Sequence, residues 1–76
     1  MVRVKELEEV VLTADFPDEG LRAGDVGTAV HVYQNGAAEV EVVLPSGYTL
    51  GLVTAEPGQF RPIGPGDVPH VRTVSL

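Results

Sequence analysis

Two runs of alternating apolar residues, Val26 to Val32 and Ala38 to Leu44, flank Gln34-Asn35-Gly36. Their spacing restricts the fold more than any other feature of the chain. Alternation at period two marks a strand with one buried face. In the first run Val26, Thr28, Val30 and Val32 share a face, with Gly27, Ala29, His31 and Tyr33 opposite. In the second, Ala38, Val40, Val42 and Leu44 share a face, with Glu39 and Glu41 opposite. A two-residue Asn35-Gly36 turn would set Val32 against Glu39, yet opposite residues of antiparallel strands share a face. The pattern therefore selects a three-residue loop with Gly36 in the left-handed region, Val30 against Val40 and Val32 against Ala38. A one-residue slip would turn every valine to water.

The same arithmetic applies to Pro45-Ser46-Gly47. As a three-residue loop it sets Leu44 against Tyr48, Val42 against Leu50 and Val40 against Leu52. Before this meander stand a short apolar strand, Val10-Val11-Leu12, and a loop from Asp15 to Gly24. Pro17 and Gly20 supply turn chemistry in that loop, and Leu21 is its apolar anchor. After the meander, Glu56-Pro57-Gly58-Gln59 suits one tight helical turn, and Phe60-Arg61-Pro62 a short closing strand. The lead-in Lys5-Glu6-Leu7-Glu8-Glu9 suits a single helical turn. A long first loop, a three-stranded meander, a tight turn and a short last strand form the order of a small SH3-like antiparallel β-barrel of about five strands. The expected fold class is all-β, with Val26, Val30, Val32, Val40, Val42, Leu44, Leu50 and Leu52 inward. Residues 1–63 form the barrel, and 64–76 a Gly/Pro-rich C-terminal tail (Gly64, Pro65, Gly66, Pro69).

Seventy-six residues make one domain with a thin core. The absence of cysteine excludes disulfides, thiolate metal sites and thiol nucleophiles. It also fits a reducing compartment. Neither a signal peptide nor a membrane span is indicated, so a cytoplasmic location is expected. Eleven acids face five bases, for a net charge of −6, and Arg3, Lys5, Arg22, Arg61 and Arg72 are never adjacent. A nucleic-acid binder needs a basic stripe to displace counterions from phosphates. Nucleic acid is therefore not the expected partner; a basic protein is.

Residues with catalytic potential do not converge. His31 and His70 are the only imidazoles; His31 is expected outward, opposite Glu39 and diagonal to Glu41. Ser46 and Ser75 lie outside any G-x-S-x-G elbow. Gly20-Leu21-Arg22-Ala23-Gly24-Asp25-Val26-Gly27 has phosphate-loop spacing but opens a strand, where a phosphate cradle needs a helix. No cofactor, metal or enzymatic activity is expected. The candidate partner surface joins the acidic loop (Asp15, Phe16, Asp18, Glu19) to the outward row His31, Glu39 and Glu41, with Phe16 as its apolar anchor.

From Val10 to Val32 the chain resembles an uncharacterised bacterial family of small domains whose pattern runs V-V-L-T-x-D-x-P-x-x-G-L-x-x-G-D-x-G-T-V-V. Val10, Val11, Leu12, Thr13, Asp15, Pro17, Gly20, Leu21, Gly24, Asp25, Gly27, Thr28 and Val30 stand at its positions, and Ala29 replaces a valine. The likeness extends more loosely through Glu39-Val40-Glu41-Val42 to Gln59-Phe60-Arg61-Pro62. The resemblance implies little about mechanism; its genes stand beside those of other small proteins, which suits a two-gene module such as a toxin with its neutraliser. Two readings follow. One is a non-catalytic acidic protein-binding module, of antitoxin or immunity type, for a basic protein. The other is a small structural or regulatory subunit docked on a larger enzyme through its tail.

Overall fold

The computed structural model describes residues 4–75. Five strands, β1 (Glu9–Leu12), β2 (Val26–Val32), β3 (Ala38–Val43), β4 (Thr49–Ala55) and β5 (Phe60–Pro62), form one open antiparallel sheet in the order β4-β3-β2-β1-β5. The expected all-β, five-stranded arrangement and its element order are present. β4 lies at one edge of the sheet and contains neither a charged residue nor a proline.

β3 is where the alternation holds. Ala38, Val40 and Val42 are buried, while Glu39 and Glu41 face outward. Both hairpin loops have the expected three residues. The Tyr33 N–H donates to the Ala37 carbonyl at 2.8 Å, the Leu44 N–H to the Tyr48 carbonyl at 2.8 Å, and Gly36 and Gly47 take φ of 91° and 93°. The pairing of Val32 with Ala38 is also as expected.

Each strand flanking β3 departs from strict alternation through a bulge, which inserts one residue and reverses which face the next residues present. In β2 the irregularity falls between Ala29 and His31, so Ala29 and not Val30 opposes Val40. Gly27 and Ala29 are buried, whereas Val30 is 36% exposed. In β4 the step lies opposite Val42 and Val43, so Val42 pairs with Gly51 and Val40 with Val53. Leu52 is consequently 52% exposed, and Val53 and Ala55 take the inward places. Val26, Val32, Leu44 and Leu50 are half-buried. Valine and leucine spacing cannot reveal a bulge because both parities of these strands are apolar.

The core comprises Val10, Leu12, Leu21, Ala29, Ala38, Val40, Val42, Val53 and Ala55. Gly27 is required where β2 crosses β3: a Cβ there would lie 2.6 Å from the Glu41 carbonyl oxygen and 2.8 Å from Val40 Cγ1. The long loop folds over the inner face as a 3-10 turn, Pro17–Glu19, and delivers Leu21 onto β4. A Cβ at Gly51 would stand 3.2 Å from Leu21 and from the Glu19 carbonyl.

Two expected helical turns are instead β-turns. Around Lys5 to Glu8, Leu7 takes the left-handed φ of 66°, which lets its N–H donate to the Ala29 carbonyl and prolongs the β1–β2 pairing. At Glu56 to Gln59, Gly58 has φ of 93° and the Gln59 N–H donates to the Glu56 carbonyl. Proline then glycine at the centre of four residues is the signature of a type II turn, which reverses the chain without starting a helix.

From Gly64 to Ser75 there is neither helix nor strand. The segment nevertheless lies against the body. Arg61 and Asp67 form two hydrogen bonds of 2.7 and 3.0 Å, and Asp67 also accepts from the Gly64 N–H at 2.6 Å. Further on, Arg72 reaches back to Asp25.

Candidate functional site

The outward row forms as the alternation of β3 requires. His31 stands opposite Glu39, and its Nδ1 lies 3.3 Å from a Glu6 carboxylate oxygen. Its ring meets Tyr33 edge to face at a centroid distance of 4.6 Å. The Tyr33 hydroxyl donates to Glu39 at 3.0 Å, and the Thr54 hydroxyl donates to the same oxygen. The bond to the Glu39 carboxylate raises the Tyr33 phenol above its ordinary pKa. Glu41 accepts from the Thr49 hydroxyl at 3.2 Å. Leu52, opposite Glu41 and half in water, adds an apolar patch to this acidic face.

The acidic loop does not join that row. Leu21 pulls it over the inner face of β4, while Glu39 and Glu41 project from the outer face of β3, so the sheet lies between them. Asp18 and Glu19 are exposed on the 3-10 turn. Asp15 accepts from the Ala23 N–H at 2.9 Å and so braces the loop. Phe16 is half-buried against the core and exchanges backbone hydrogen bonds with Leu21. It serves the loop's own packing and is not a projecting anchor.

An apolar cleft lies elsewhere, at a place the alternation could not reveal. Among the described residues, a cleft of about 600 Å³ opens between the β2–β3 loop and the β4–β5 turn; Val32, Tyr33, Pro57, Phe60 and Pro62 supply most of its apolar wall. Asn35 and Arg61 stand at its polar rim. Tyr33 belongs to both regions: it is among the residues that line the cleft, and its hydroxyl joins the carboxylate row. The signal in the sequence was that Tyr33 and Phe60, two of only four aromatic residues, fall at strand ends beside turn residues.

The tail contributes a second polar arrangement. Arg72 Nε donates to Asp25 Oδ1 at 2.8 Å, and Nη2 donates to Oδ2 at 2.6 Å and to the Gly20 carbonyl at 3.0 Å. The Arg72 guanidinium is the main reason the Asp25 carboxyl is held below the usual carboxylate range. The Arg61 guanidinium, helped by the Gly64 N–H, likewise lowers Asp67 to about 2. These pairs occupy two of the five bases and leave nine of the eleven acids without an arginine partner among the described residues. The exposed charge is therefore more one-sided than composition conveys. No group of three or more His, Asp or Glu side chains is arranged to hold a metal among the described residues. No helix there is long and apolar enough to cross a membrane.

A family model described as Domain of unknown function (DUF4926) matches residues 6–62. No curated protein and no solved structure matches the chain.

Proposed function

The chain belongs to the DUF4926 family, and from its geometry we propose that it is a non-catalytic protein-binding module that receives a basic protein on the outer face of its sheet. The observation that carries this reading is Tyr33, which joins the Glu39–Glu41 row to an apolar cleft. Carboxylates hasten encounter with a cationic surface, and a concave apolar site slows release once an aromatic or aliphatic side chain enters it. Exposed hydroxyls of Thr49 and Thr54 hold Glu39 and Glu41 upright without neutralising them. A neutralising partner of antitoxin or immunity type is one form such a module takes. Nucleic acid is disfavoured by the one-sided charge.

A bacterial two-hybrid screen or pull-down against the product of the neighbouring gene supplies the partner for the test. Tyr33→Ala should then speed dissociation, and paired Glu39→Lys and Glu41→Lys should slow association and flatten its salt dependence. Charge reversal at Asp18 and Glu19, on the other side of the sheet, should do less. If the loop pair abolished binding while Tyr33→Ala and the row pair left it unchanged, the outer-face reading would be wrong.

A further inference from the structure

We propose that the Asp25 carboxylate and the Gly20 carbonyl form a guanidinium socket, which Arg72 fills within the chain and which an arginine on an extended segment of the partner takes in its place. This rests on the reading above that the partner is a basic protein; the socket lies on the loop side of the sheet, so the extended segment makes a second contact, apart from the outer-face row.

Three observations support the assignment. First, the socket is built by the body. The Asp25 carboxylate accepts from the Arg22 N–H at 2.9 Å, its N–H donates to the Arg22 carbonyl and its carbonyl accepts from the Leu12 N–H. Gly20, left-handed at φ 70°, is held by the bond from its N–H to the Pro17 carbonyl. None of these contacts involves the tail, so both acceptors stay in place when Arg72 leaves.

Second, the geometry is selective. Two carboxylate oxygens and one carbonyl meet the planar fork of Arg72 on two of its nitrogens. A lysine ammonium is a point donor and cannot reproduce that fork. The Asp25 side chain is only 11% exposed, so the pair is shielded from water better than an ordinary surface pair.

Third, the occupant is held by little else. Val68 is largely exposed and Val71 almost wholly so, only Val74 is half-buried beside Arg72, and residues 68–75 make no backbone–backbone hydrogen bond among the described residues. Gly20 and Asp25 lie inside the stretch that matches the family, and Arg72 lies outside it. The tail therefore acts as a tethered competitor: it covers a half-buried carboxylate until a segment with an arginine and further contacts displaces it.

The test uses the full chain and a synthetic peptide with the sequence of residues 67–75, titrated to millimolar concentration and followed by amide chemical shifts. Arg72→Ala should bind the peptide with shifts centred on Gly20 to Val26. The unsubstituted chain should bind severalfold more weakly, because a short tether holds Arg72 near the socket at an effective millimolar concentration. A peptide with glutamine in place of its arginine should not bind, and one with lysine should bind less well. Equal binding by the unsubstituted chain and Arg72→Ala, an active glutamine peptide, or no binding at all would overturn the socket. Shifts confined to residues 31–41 would also overturn it, while leaving the outer-face reading intact. Conversely, binding at Gly20 to Val26 alongside a partner indifferent to Tyr33, Glu39 and Glu41 would preserve the socket and defeat that reading.

Discussion

In the body of the molecule Leu12 is enclosed on every side, whereas in the tail Val71 stays 96% exposed and the segment is held by two guanidinium groups. The body follows from burial and from ladders that satisfy its backbone. The tail is positioned by charge-assisted hydrogen bonds. Burial is cooperative, since a cavity at one position loosens its neighbours. A carboxylate–arginine pair can open alone. The two regions thus keep their places by different means, the body by burial and backbone ladders and the tail by charge-assisted hydrogen bonds at its surface.

The comparison is tested most severely in the core. Leu12→Ala removes a side chain fully buried among Val10, Leu21 and the β3 valines and should cost about 2–5 kcal/mol. In so small a domain that approaches the whole stability, so urea or thermal denaturation should show a chain largely unfolded at 25 °C. Gly27→Ala comes next. The added Cβ would press on the Glu41 carbonyl oxygen at 2.6 Å, and overpacking of this kind costs about 1–3 kcal/mol, read as a lowered denaturation midpoint. A midpoint unchanged by either substitution would mean that the inner face of β2 and β3 is not the body's centre of stability.

Leu7→Gly should act in the opposite direction. Leu7 is exposed and left-handed at φ 66°, a conformation that costs a side-chain-bearing residue roughly 1–2 kcal/mol; glycine's larger unfolded-state entropy takes back part of this. A gain of about 0.5–1 kcal/mol is expected, and a lower midpoint would show that Leu7 packs on something that matters.

The smallest effects on the fold belong to the tail. Arg72→Gln should leave the midpoint near its original value while the amides of residues 68–75 become mobile on the nanosecond scale, as read by ¹⁵N relaxation. Acid should do the same without a substitution. Asp25 and Asp67 both have folded values below their unfolded ones. Their contribution is therefore complete above about pH 4 and fades as the pH falls through the folded values, which for Asp67 is about 2. Tail amides should shift over that window. If body and tail instead lost order together in either experiment, the two regions would be one cooperative unit.

How much of this was legible in the sequence depended on whether one parity of a strand was polar. In β3, glutamates alternate with valines and alanine, so its inward face, both loop lengths and the outward row could be derived, while its pairing with β2 and β4 beyond the loop ends could not. In β2 and β4 both parities are apolar, and nothing distinguished Val30 from Ala29 or Leu52 from Val53 as the inward residue. Leu21 was recognisable as the apolar anchor of a polar loop whose other large apolar residue is Phe16. The Tyr33 cleft was marked only by two aromatic residues at strand ends, because it arises where two turns distant in sequence meet. The Arg72–Asp25 pair spans 47 positions, and no local pattern links residues so far apart.

The open edge of β4 has a consequence for the molecule in crowded solution. Strand edges are ordinarily kept from joining a neighbour's by a lysine, a proline, an inward charge or a bulge, and of these Thr49–Ala55 has only the bulge near its start. The net charge of −6 adds to that protection at a distance, since any second copy brings the same sign. The acidity that would attract a basic partner is thus also a colloidal safeguard, one that salt screens and that a cationic partner cancels at the moment it binds.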